Sequence, residues 1–234
     1  MRPLDSSVVP PEVVGVVLYG SRARGDHDAA SDTDICVLTS DIDFEKLLDT
    51  KKQIAPMLLM PQESIAIYTA QTLRAMSQCG ALLLWHLKLE GQVLFERGDF
   101  VRGLFESLLP FHRYAAELEE YEGLLSDVRE AIAIHGGVTE LDLHVLQVVV
   151  RNVSILLTVY GGTPSFGRVS AVRTAVVLFP NVPIDMGRYL ELCDWHLRFT
   201  RGTGQERHLP DSETCRVFLE MAEGSLRFTR RMTC

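Results

Sequence analysis

Gly20-Ser21 and Asp32-Thr33-Asp34 are separated by ten residues, and their types suit the holding of a phosphate chain with the help of a divalent cation. Glycine lets the chain turn sharply and pass close to a ligand. Ser21 supplies a hydroxyl and opens a short helix through Arg24, a start at which backbone N–H groups attract anions. Arg22 and Arg24 add two guanidinium forks in the same loop, and the sequence leaves open which one faces inward. Asp32 and Asp34 alternate along a strand, so they point the same way, about 6 to 7 Å apart, while Thr33, Ile35 and Val37 point into the opposite layer. Two such carboxylates repel unless a hard cation lies between them, and their oxygens suit Mg²⁺ or Mn²⁺. Anion donors beside a carboxylate metal site are the equipment for phosphoryl or nucleotidyl transfer, where positioning and charge neutralisation do most of the work.

The elements that must position these residues can be read from the apolar pattern. Val13 to Tyr19 is short, β-branched and closed by Gly20-Ser21, which predicts a buried strand. Further strands are expected over Thr33 to Leu38 and, after Pro61, over Ser64 to Thr69. Between them Phe44, Leu47, Leu48, Ile54 and Leu58 recur at helical spacing, and helices are expected over Ala70 to Gln78 and Ala81 to Glu90. After Gly98-Asp99 the strand pattern stops. Phe111 to Ile132 reads as a long amphipathic helix ended by Gly136-Gly137, and Leu141 to Tyr160 is apolar on nearly every side, as at the centre of a bundle. Further helices are expected over Val169 to Phe179, Met186 to Phe199 and Ser212 to Arg227. The expected architecture is α+β: a small mixed sheet flanked by helices over residues 1–100, then an all-helical bundle over residues 101–234 that binds an acceptor or a partner.

Composition narrows the class. The 234 residues are 47% hydrophobic and 23% charged, which excludes disorder and collagen. With 23 Lys and Arg against 31 Asp and Glu the net charge is -8, opposite in sign to a general nucleic-acid binder, so nucleic acid is not expected as a partner. The start lacks the apolar core of a signal peptide, and no run of about 18 consecutive apolar residues offers a membrane span; a cytoplasmic protein is expected. The five cysteines are scattered, outside any zinc spacing, and read as buried or free thiols.

Leu18-Tyr19-Gly20-Ser21-Arg22-Ala23-Arg24-Gly25, followed by Ser31-Asp32-Thr33-Asp34-Ile35-Cys36-Val37, resembles the nucleotidyltransferase superfamily of DNA polymerase beta, most closely its minimal bacterial type. The likeness covers roughly residues 13 to 95, and His86-Leu87-Lys88-Leu89-Glu90-Gly91 adds to it. It implies that Gly20 and Ser21 hold triphosphate oxygens and that Asp32 and Asp34 ligate the metal. The activity implied is Mg²⁺-dependent transfer of a nucleoside monophosphate from a nucleoside triphosphate to an acceptor, either a small aminoglycoside-like molecule or a protein hydroxyl. The family pairs such domains with helical ones, and association with a copy of itself or a partner chain is consistent with that habit.

The family also uses a third carboxylate on a later strand, as metal ligand and proton acceptor. Here that strand reads Glu63-Ser64-Ile65-Ala66-Ile67-Tyr68. If Ile65 and Ile67 face the core, Ser64, Ala66 and Tyr68 occupy the site face, and Glu63 has the parity of the buried residues. Glu63, at the strand's start, is the candidate. Its absence from the site would leave a nucleotide-binding regulatory or antitoxin-type module. Three weaker features read more simply as structure: His86 and Glu90 as a local packing pair, the Gly161 to Gly167 loop before Arg168 as an interhelical connection, and Arg201 with His208 as ends of a loop.

Overall fold

The computed structural model describes residues 4, 6–27, 32–202 and 208–234. Two compact units follow one another along the chain, Met1–His112 and Arg113–Cys234. The first contains β1 (Val13–Tyr19), α1 (Gly20–Arg24), β2 (Asp34–Thr39), α2 (Phe44–Leu58), β3 (Ile65–Thr69), α3 (Ala70–Gln78), α4 (Leu82–Glu90), β4 (Gln92–Glu96) and α5 (Phe100–Glu106). The strands form one mixed sheet in the order β3-β2-β1-β4. β1 is antiparallel to both neighbours and β2 runs parallel to β3.

The sheet is packed on both faces, which is why its central strands are almost continuously apolar instead of alternating. One face gathers Val13, Val16, Leu18, Ile35, Val37 and Ile65 against Ile54, Ala55 and Leu58 of α2. The other gathers Val17, Cys36 and Leu38 against Leu73, Leu84, Leu87, Val101 and Leu104 of α3, α4 and α5. Gly15 of β1 allows the last of these helices to come close, since an added Cβ would meet the Val101 side chain. α5 therefore belongs to the first unit, and the division falls after His112.

Two expected elements differ. Ser64 does not begin β3: Pro61 precedes a single 3-10 turn over Gln62–Ser64, closed by Ser64 N–H donating to the Pro61 carbonyl at 3.2 Å. α2 has its Asp43 cap, with the side chain accepting from Lys46 N–H, but only its second half is buried. Phe44 and Leu48 stay exposed, at 72% and 41%. β4 and α5 are additional elements.

The second unit consists of α6 (Tyr114–His135), α7 (Glu140–Tyr160), α8 (Ser170–Leu178), α9 (Met186–Arg201) and α10 (Ser212–Thr233). α7 is its axis, touching each of the other four helices. By length and composition α7 could cross a membrane, yet 61% of its apolar window is buried inside the unit. Its start is fixed by a reciprocal cap: Asp142 N–H donates to Thr139 Oγ1, and the Thr139 N–H donates to the Asp142 carboxylate at 2.7 Å.

Candidate functional site

The strand directions bring the chemically suggestive residues to one end of the sheet. β1 finishes there, and β2, β3 and β4 begin there, with Tyr19 opposite Asp34, Leu18 opposite Gln92 and Ile35 beside Ile65. Gly20-Ser21 leaves β1 at this end, Asp34 opens β2 with Asp32 two residues before it, and Glu63 lies on the turn before β3.

Gly20 and Asp34 are in direct contact. Gly20 has φ 71°, and a Cβ there would collide with the Asp34 carboxylate. Both requirements select glycine: the left-handed backbone, and the space that the carboxylate occupies. α1 then makes one turn, capped at Gly25 by an N–H that donates to the Ser21 carbonyl at 2.9 Å. Ser21, Arg22 and Arg24 are half-buried around that turn.

Asp34 is half-buried as the first residue of β2, on the same face as Tyr19 and Cys36. Asp32 stands two residues earlier, outside the strand, and is exposed; Ser31 lies outside the described residues. Burial, and then the negative charge of Asp34, push the Tyr19 hydroxyl above its usual range. Tyr19 meets His86 of α4 edge-on at 5.3 Å. His86 Nε2 is 3.1 Å from Glu90 Oε2, so the local pair expected from their spacing forms. Arg24 Nη1 also reaches Glu90 Oε2, at 2.7 Å.

Glu63 is exposed on its 3-10 turn. β3 itself carries Ile65 and Ile67 on one face and Ala66 and Tyr68 on the other, so the strand presents no carboxylate. Among the described residues no group of three or more His, Cys, Asp and Glu comes together as a metal cage. The Asp34 carboxylate beside the Gly20 turn is an oxygen donor of the kind that suits Mg²⁺, a hard cation that usually takes one or two protein carboxylates and fills its remaining positions with water and substrate phosphate.

The second unit holds a cationic polar cluster that the sequence did not single out. His144 of α7 and His196 of α9 stack at 4.7 Å with their planes 9° apart, and Phe199 covers His144 at 4.8 Å. Their Nδ1 atoms are buried without a hydrogen-bond partner among the described residues. Burial, reinforced by Arg168, His144, Arg151 and Arg201, brings the His196 pKa down to about 4. The loop before α8 is stitched as a connection, with Thr158 Oγ1 accepting from Ser165 N–H and the Phe166 carbonyl accepting from Arg151. Arg201 ends α9 and Gly202 caps it, so Arg201 and His208 share no helix face; residues 203–207 between them lie outside the described residues.

A four-stranded mixed sheet with a glycine-serine turn pressed on the aspartate that opens the next strand, and a second acid two residues earlier, is the arrangement the first unit offers for comparison with known folds. Residues 8–99 match the sequence profile of the family described as Polymerase beta, Nucleotidyltransferase. Over nearly the whole chain the fold is similar to the crystal structure of spectinomycin adenyltransferase AAD(9) from Enterococcus faecialis with ATP and spectinomycin. That likeness has 13% identity and a TM-score of 0.52, and covers 94% of each chain. A toxin-antitoxin structure with AMP-PNP matches 52% of this chain and 90% of its own, at 21% identity and a TM-score of 0.30. A mutant of the toxin-antitoxin MntA-HpeT matches the same shares at 16% identity and a TM-score of 0.32. No curated protein matches.

Proposed function

We propose that the chain is a Mg²⁺-dependent nucleotidyltransferase that moves a nucleoside monophosphate from a nucleoside triphosphate to a hydroxyl of a small molecule or protein. The observation that carries this reading is the Gly20 turn seated on the Asp34 carboxylate, with Asp32 two residues before it. Asp32 and Asp34 would hold the metal, which when bound neutralises phosphate charge. Gly20 and Ser21 would hold triphosphate oxygens, with Arg22 beside them. The acceptor oxygen forms a bond to the α-phosphorus as the bond to pyrophosphate breaks. Glu63 is the residue proposed to take the hydroxyl proton. A net charge of -8 favours a cationic acceptor.

The test is incubation with labelled ATP, GTP, CTP and UTP, Mg²⁺, and acceptors beginning with spectinomycin, followed by assay of pyrophosphate and labelled product. Transfer is expected in the native protein and absent in Asp32→Asn and Asp34→Asn, and undiminished nucleotide affinity in both variants would refute the assignment. A second reading is favoured by the lack of a carboxylate on β3: a nucleotide-binding regulatory module. It predicts nucleotide binding without pyrophosphate release, whereas loss of transfer in Glu63→Gln establishes the enzyme.

A further inference from the structure

Arg24 has partners that the spacing of the loop did not reveal. Its Nη1 donates to Glu90 Oε2 at 2.7 Å and its Nε donates to Asp26 Oδ2 at 3.1 Å. The Arg24 and Glu90 side chains are only 19% and 14% exposed, so this ion pair is largely withdrawn from water and joins residues 66 positions apart. The same Glu90 oxygen is within 3.1 Å of His86 Nε2, and His86 abuts Tyr19, the residue that precedes α1 and lies opposite Asp34. Two residues beyond Glu90, Gln92 Nε2 donates to the Ala23 carbonyl at 2.7 Å. The corner between α4 and β4 thus holds α1 by a guanidinium and by the adjacent carbonyl. Five residues make a single helical turn, too short to be stable by its own hydrogen bonds, so these outside contacts decide its conformation.

We propose that Glu90 is a positioning residue for the nucleotide site, fixing Arg24 and with it the turn that bends over Asp34, and that Arg24 acts as a brace and not as a phosphate ligand. The role rests on the nucleotidyl-transfer reading above. Burial alone would lower the Arg24 pKa; the hydrogen bonds to Glu90 and Asp26 more than reverse that.

The experiment uses the full chain with the near-isosteric Glu90→Gln, with Arg24→Gln, which shortens the side chain and removes its charge, and with the double variant, melting midpoints confirming that each folds. Hydrogen exchange of the amides of residues 20–25 is measured without nucleotide, and affinity for Mg-ATP is measured by calorimetry. Glu90→Gln is expected to speed exchange across α1 about tenfold and to weaken ATP by a similar factor, the scale of one charge-assisted hydrogen bond. The double variant is expected to bind ATP no worse than Arg24→Gln alone, because both changes break the shared Arg24–Glu90 pair. Multiplying losses would mean that Arg24 touches the nucleotide itself and would overturn the proposal, as would native exchange rates in Glu90→Gln. If the native protein binds no triphosphate, the nucleotide reading fails by itself, and the exchange rates alone decide whether Glu90 holds the turn.

Discussion

Gly20 shows how much one residue type can reveal. The sequence indicates a bend after a buried strand, and the structure adds the reason for its lack of a side chain: Asp34 occupies the space. Gly20→Ala must adopt a left-handed backbone, at a cost of about 1 kcal/mol, and must also displace the Asp34 carboxylate. A fall in melting midpoint together with loss of nucleotide binding is expected. A variant that melts lower but binds normally would show that the contact serves the fold alone. The approach of Gly20 to Asp34 was legible because neighbouring strands bring near-sequence residues together. The Arg24–Glu90 pair was not, because nothing local encodes a contact across 66 residues. The alternation of Ile65 and Ile67 against Ala66 and Tyr68 was legible, but the buried parity expected for Glu63 does not hold: Pro61 turns the residues before β3 into a 3-10 turn on which Glu63 is exposed, which no alternation pattern can register.

Among elements, those that bury two faces were the clearest. β1 and α7 are apolar nearly throughout and were legible almost to the residue. β4 was missed because Gln92-Val93-Leu94-Phe95-Glu96 is short and polar at both ends, and its first two residues are exposed at the edge of the sheet. α2 was legible as a helix but its buried stripe was misjudged. Phe44 and Leu48 fit the helical period, yet the sheet face is filled by Ile54, Ala55 and Leu58. Periodicity reports which residues share a stripe, not how far along the helix its neighbour extends. Ile54, fully buried, should cost about 2–5 kcal/mol when changed to alanine. Phe44→Ala, at an exposed site, should stay within about 0.5 kcal/mol. Urea unfolding of the two variants separates them, and equal losses would mean that the exposed half of α2 is covered in solution.

For the molecule as a whole, the change of pattern after Gly98 announced two units, although the packing of Val101 and Leu104 onto the sheet carries the first one to His112. The units should also answer acid differently, because the stacked histidines and the arginines around them all belong to the second. Burial and the charges of Arg168, His144, Arg151 and Arg201 hold His196 neutral down to about pH 4, and burial lowers His144 as well. In the unfolded chain a histidine takes its proton near pH 6.5. Between those values the unfolded state binds more protons, so stability rises with pH across the window, is fully present above about pH 6.5, and drains away as the pH falls toward 4. The His196 ring is partly open to solvent, so screening reduces its share to about 1 kcal/mol. Urea unfolding at pH 7.5 and pH 4.5 should therefore show a smaller acid loss in His196→Gln than in the native protein. An identical loss in both would place the acid sensitivity in other groups, and NMR titration of the two imidazoles would show whether His196 stays neutral through the window.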